Sequence, residues 1–164
     1  MSREILPSGG REVRVALGFP SYRNVAEGNL GFQIVTGILR SVRGIQCEQF
    51  YLPEGSSHSD LRLPEGGLRT VPSGRSLASM DLVLLSLSYE GDAVAVPALL
   101  EAGGLPAFAG ERRAGHPLVV GGGALVMINP EPLAPFFDLF LVGEAEAILE
   151  PFLARWGAHL GEGR

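Results

Sequence analysis

Ser86-Leu87-Ser88 follows a run of apolar residues and precedes Tyr89-Glu90. Side chains alternate along a strand, so both hydroxyls fall on one face. They read either as polar contacts to a ligand or as small residues that let a helix pack closely. Gly121-Gly122-Gly123 ends another apolar run. Three glycines exceed the needs of a turn, and without a Cβ they let a ligand or a second backbone approach the sheet edge. They do not make a dinucleotide fingerprint, because they follow the fourth expected strand and Val126 stands where the last glycine of G-x-G-x-x-G belongs. Gly143, Glu144 and Glu146 suit a helix start, where carboxylates complement the positive helix end. The same charges repel phosphate, so Glu144 suits a ribose or amide donor. Pro20 to Gly28, after the first strand, offers Tyr22 and Arg23. These either stack on and pair with a ligand or pack on their own domain.

Other chemistry is excluded by residue types. All 13 basic residues are arginine, which removes a Walker phosphate loop, a Schiff-base lysine and a phospho-acceptor receiver site. Cys47, the single cysteine, leaves no intramolecular disulfide, thiolate zinc site or locally ligated iron–sulfur cluster, and reads as a small buried hydrophobe. His58, His116 and His159 have no metal-ligand spacing and read as solvated. No G-x-S-x-G elbow is present. Residues 1–80 carry 9 Arg against 7 acids and residues 81–164 carry 4 against 11, so the acidic second half is a poor nucleic-acid surface.

The elements that must position these residues follow from apolar patterning. A chain of 164 residues, 46% apolar and 19% charged, suits one domain with a sizeable core. No segment suits a membrane span or a signal peptide, and the reading is a cytoplasmic protein. Strands are expected at 13–19, 45–52, 82–88, 118–120 and 139–142. A helix capped by Asn29 should present Leu30, Ile34, Ile38 and Val42 on one face, with Val35 and Leu39 beside them, and stop at Gly44. A short helix is expected around 76–80, and another at 93–102 capped by Asp92, with Pro97 either moving its start or kinking its first turn. The last helix, 144–156, should bury Ile148, Leu149, Phe152, Leu153 and Trp156. Residues 54–67 read as a loop. Strands alternating with helices give a mostly parallel three-layer α/β sheet, whose ligand crevice lies at the carboxyl ends of the strands.

Five segments in order carry a resemblance: GFPSYRNVAEGNLGFQIV at 18–35, CEQFYLP at 47–53, LRTVPSGRSL at 68–77, DLVLLSLSYEGD at 81–92 and PLVVGGGALVMINPEPLAPFFDLFLVGEAEAIL at 117–149. Together they resemble the N-terminal B12-binding-like domain of a group of radical SAM proteins. The resemblance implies a Rossmann-like fold of the cobalamin-binding type with a five-stranded, mostly parallel sheet over 13–156, preceded by an arm at 1–12 and followed at 157–164 by a tail or the start of a linker. It implies that Ser86, Ser88, Gly121 and Gly122 line a channel for the nucleotide tail of cobalamin, with Tyr22 and Tyr89 facing the corrin ring and Gly123 and Glu144 as further cofactor-binding candidates. The D-x-H-x-x-G motif that would ligate cobalt is absent, and Ser88 occupies the leucine place of S-x-L. Any cobalamin would therefore be held without a protein histidine.

The C-x3-C-x2-C motif of a radical SAM core is also missing, so the iron–sulfur cluster and S-adenosylmethionine belong to a core absent from this chain. The resemblance implies a non-catalytic accessory domain, working with that core in cis or in trans, and either an N-terminal fragment or a stand-alone relic. The alternative is a structural or protein-interaction α/β domain with no small-molecule ligand.

Overall fold

The computed structural model describes residues 3–4 and 12–162. Short strand β1 (Arg3–Glu4) pairs in parallel with β3 (Val42–Arg43), and the remainder of the expected arm before Glu12 lies outside the described residues. The main sheet contains β2 (Val13–Phe19), β4 (Ile45–Tyr51), β5 (Leu82–Ser86), β6 (Leu118–Gly122) and β7 (Leu139–Leu141). Its spatial order is β4-β2-β5-β6-β7 and every pair is parallel. The chain runs outward from β2 in one direction and resumes at β5 in the other, so the topological switch point lies between those two strands.

Helices α1 (Arg23–Gly28) and α2 (Leu30–Ser41) follow β2, α3 (Asp92–Ala102) follows β5, α4 (Ala124–Ile128) follows β6 and α5 (Ala145–Glu162) follows β7. On one face of the sheet α2 and α5 pack together over Val15, Leu17, Leu82, Leu84 and Val120. On the other, α3 and the 3-10 segment Glu131–Phe136 cover Ala16, Val83, Leu85 and Val119. Each strand thus contributes alternate residues to two cores, as the sequence pattern requires.

Several elements differ from the sequence reading. α1 replaces an expected loop; it buries only Ala26 and has no amphipathic stripe to announce it. The Asn29 cap is present, its Oδ1 accepting from Phe32 N, but α2 ends at Ser41 and Gly44 falls after β3. Phe32, Thr36 and Leu39 form its buried face, with Phe32 set edge-on to Phe19, while Leu30 is 75% exposed. The 76–80 helix is a 3-10 turn at Leu77–Ser79. Pro97 sits inside α3 and does not move its start from Asp92. β5 stops at Ser86, whereas Gly121 and Gly122 belong to β6. α5 continues past Trp156 because Gly157 extends the buried row of Leu149 and Leu153; residues 157–162 are helical and 163–164 lie outside the described residues.

Polar anchors close the α3 face. Arg112 donates to the carbonyls of Pro106, Ala107 and Phe136 and to Asp138, whose Oδ2 accepts from Val119 N. Glu48 is buried in β4, accepts from the Thr70 hydroxyl and lies 3.8 Å from Arg75. Burial pushes its carboxyl up, but the hydrogen bonds from Thr70 and Ser73 and the Arg75 guanidinium outweigh that and hold it below its ordinary value.

Candidate functional site

A cavity of about 540 Å3 opens at the carboxyl ends of β2, β5, β6 and β7, between α2 and α5. Its walls are apolar, built from Leu17, Ile34, Val35, Leu84, Val120 and Leu149. The rotation of α2 explains part of this space. Because Phe32 takes the sheet contact, Ile34 and Val35 are only half-buried and face the gap toward α5.

Six sequence-selected residues meet here: Ser86, Ser88, Gly121, Gly122, Gly123 and Glu144 all line the cavity. Ser86 pairs in register with Gly122, so the expected hydroxyl and glycine run are adjacent across β5 and β6. Asp92, expected to cap its own helix, instead accepts from Ser88 N at 2.9 Å and Tyr89 N at 3.0 Å and fixes the loop after β5. The Ser88 hydroxyl in turn accepts from Asn29 Nδ2 at 3.3 Å, which joins that loop to the start of α2. Glu144 C=O accepts from Ala147 N and Ile148 N, placing Glu144 at the entrance to α5. Asn29, Glu146 and Met127 also line the cavity; sequence reading had used Asn29 only as a cap, and its bond to a serine 59 positions away has no local signal.

The glycine run divides into three separate roles. A Cβ at Gly121 would sit 2.9 Å from the Phe140 ring and 3.1 Å from Phe137, on the α3 side. At Gly122 it would meet only Leu141 O at 3.6 Å and Leu141 Cβ at 3.9 Å, which is ordinary contact. Gly123 has φ 103° and ψ −177°, a conformation nearly confined to glycine, and a Cβ there would lie 2.5 Å from Leu87 O. Of the three, only Gly122 would accept a Cβ at ordinary contact distances, and it lines the cavity.

The two tyrosines lie outside the cavity lining. Tyr22 donates its hydroxyl to Ser56 O, and Tyr89 is 64% exposed with its ring over Gly91. Burial pushes the Cys47 thiol up to about 11, so it stays protonated near neutral pH and inert as a nucleophile. His116 and His159 are exposed, each with Nδ1 against a nearby backbone group, but His58 departs from the solvated reading: its Nε2 is buried 3.6 Å from Asp92 Oδ1. Among the described residues, no group of three or more His, Cys, Asp or Glu is placed to hold a metal ion, and no helix is long and apolar enough to cross a membrane.

No curated protein matches the chain. The family model described as radical SAM proteins, N-terminal, matches residues 31–163, a span that includes every residue named here as lining the cavity except Leu17 and Asn29. With a parallel α/β sheet, a cavity at its carboxyl edge and a match over most of its length, the chain belongs to the family of N-terminal domains of radical SAM proteins.

Proposed function

We propose that the chain is a non-catalytic accessory module that holds a corrinoid cofactor for a radical SAM core, in cis or in trans. The observation that carries this reading is the cavity beside the switch point, lined at Gly122 by a position that no side chain crowds. In doubly wound sheets that position is where ligands collect. The residues fit part of a corrinoid: the apolar walls and Gly122 would take the flat base of its nucleotide tail, and Ser86 offers a hydroxyl beside them. No histidine lines the cavity, and His58 is turned onto Asp92, so these walls supply no imidazole to cobalt. A bound corrinoid brings radical chemistry at its metal, whereas this chain's residues bind and orient. The iron–sulfur cluster and S-adenosylmethionine belong to the core.

Hydroxocobalamin mixed with the purified protein should co-elute with it in gel filtration as a coloured peak. A colourless, folded protein peak across a range of cofactor concentrations would overturn the reading. It would favour an interaction domain without a small-molecule ligand. That second reading draws on the exposed apolar side chains of Leu30, Met127, Ile128 and Val142. They come from three separate parts of the chain and lie at or next to residues that line the cavity.

A further inference from the structure

The polar groups at the cavity are unequally committed. Asn29 caps α2 through Oδ1 and donates Nδ2 to Ser88, and the Ser88 amide is held by Asp92. Ser86 is only 7% exposed, lines the cavity, and its hydroxyl makes no hydrogen bond among the described residues. Glu144 and Glu146, both exposed, also line the cavity, and their carboxylates make no ion pair or side-chain hydrogen bond among those residues. Among the described residues, no arginine or histidine lines it. The Ser86 Oγ is open to the cavity rather than sealed from it, so a ligand or water there completes the hydroxyl. A carboxylate only accepts hydrogen bonds, so a ligand group that meets Glu144 or Glu146 must donate. An anion would instead approach two carboxylates without a nearby cation.

From these constraints we infer that the cavity takes a neutral nucleoside, its flat base between the apolar walls and near Ser86 and its ribose diol donating to Glu144, and that it rejects the phosphorylated form. This rests on the ligand-binding reading above and adds the class of group that enters. A corrinoid tail, whose ribose is esterified by phosphate at one ring hydroxyl, would have only the other left to donate to Glu144. Size does not impose the choice, since about 540 Å3 accommodates a nucleoside with or without phosphate.

Calorimetric titration of the full chain with adenosine and with adenosine 5′-monophosphate tests the inference. Adenosine should bind, with the monophosphate at least tenfold weaker at low salt. Glu144→Gln should weaken adenosine several-fold and narrow the gap between the two probes, because it removes the charged acceptor and one of the two repelling carboxylates. Ser86→Ala should weaken adenosine without lowering the unfolding midpoint, since no protein group loses a partner. Equal or tighter binding of the monophosphate, failure of both probes to bind the folded protein, or an unchanged ratio in Glu144→Gln would overturn the inference. The hydroxocobalamin experiment keeps the two readings apart. Adenosine binding without cobalamin retention would refute the corrinoid and retain the nucleoside site, whereas the converse would refute the nucleoside assignment alone.

Discussion

Gly121 and Gly122 are neighbours in one strand and look onto opposite sides of the sheet. On the α3 side, glycine is a place for a ring to lie: Phe140 covers Gly121 and Phe50 covers Gly18, its cross-strand partner. Polar groups on that side are engaged too, as Arg112 with Asp138 and Glu48 with Thr70 show. On the α2 and α5 side, a Cβ at Gly122 would meet Leu141 only at ordinary contact distance, and Ser86 and Glu144 have no side-chain hydrogen bonds among the described residues. The same residue type therefore serves packing on one face and vacancy on the other. Close-packed interiors normally leave few such spaces, so the asymmetry supports the proposed ligand site.

Valine at the three glycines is the most direct way to break the comparison. Gly123→Val should cost most, about 3 kcal/mol or more, because it adds backbone strain to an overlap with the Leu87 carbonyl. For a domain of this size, that corresponds to a loss of roughly 10 °C in the unfolding midpoint. Gly121→Val should cost about 1–3 kcal/mol by overpacking Phe140 and Phe137. Thermal unfolding without ligand measures both. A neutral Gly121→Val would show that the α3 face is looser than its contacts indicate.

Gly122→Val should separate binding from stability. Its added methyl groups enter the cavity, and stability should stay within about 0.5 kcal/mol of the parent protein. Retention of the ligand should fall at least tenfold, about 1.4 kcal/mol. A large fall in the unfolding midpoint would instead make Gly122 a packing glycine like its neighbour and erase the distinction between the faces.

Much of this architecture was legible because it depends on local patterns. Val13–Phe19 alternates at Arg14, then turns apolar and is closed by Pro20, and its strand bounds agree with the expected ones. The Ser86 and glycine positions were accessible by one further step, since parallel α/β sheets place ligands at strand ends. Tyr22 and Tyr89 were less legible because loop geometry, rather than strand period, sets their direction. α4 was missed because Ala-Leu-Val-Met-Ile after a glycine run has no capping side chain and no polar face. His58 and Asp92 meet only through the tertiary fold. The division among the three glycines is likewise invisible in their identity; it appears only when Phe140 and Leu87 occupy two of the three Cβ positions.

The smallest expected effect concerns two carboxylates rather than two glycines. Glu144 is exposed at the cavity, whereas Glu48 is buried on the closed side and engaged by Thr70 and Arg75. Burial alone would raise the Glu48 carboxyl, but its Thr70 and Ser73 hydrogen bonds and Arg75 lower it overall. An unfolded glutamate titrates near about pH 4.3. Since the folded value lies below that, the stabilisation is complete above the unfolded value and is lost as pH falls through the folded one. Glu48→Gln should therefore flatten the fall of the unfolding midpoint between roughly pH 5 and 3. Thr70→Val should flatten it in part, by removing the donor while Arg75 remains. An acid limb identical in parent and Glu48→Gln would mean that these contacts do not favour the carboxylate. The closed face would then owe its order to its apolar packing, with Glu48 tolerated inside it.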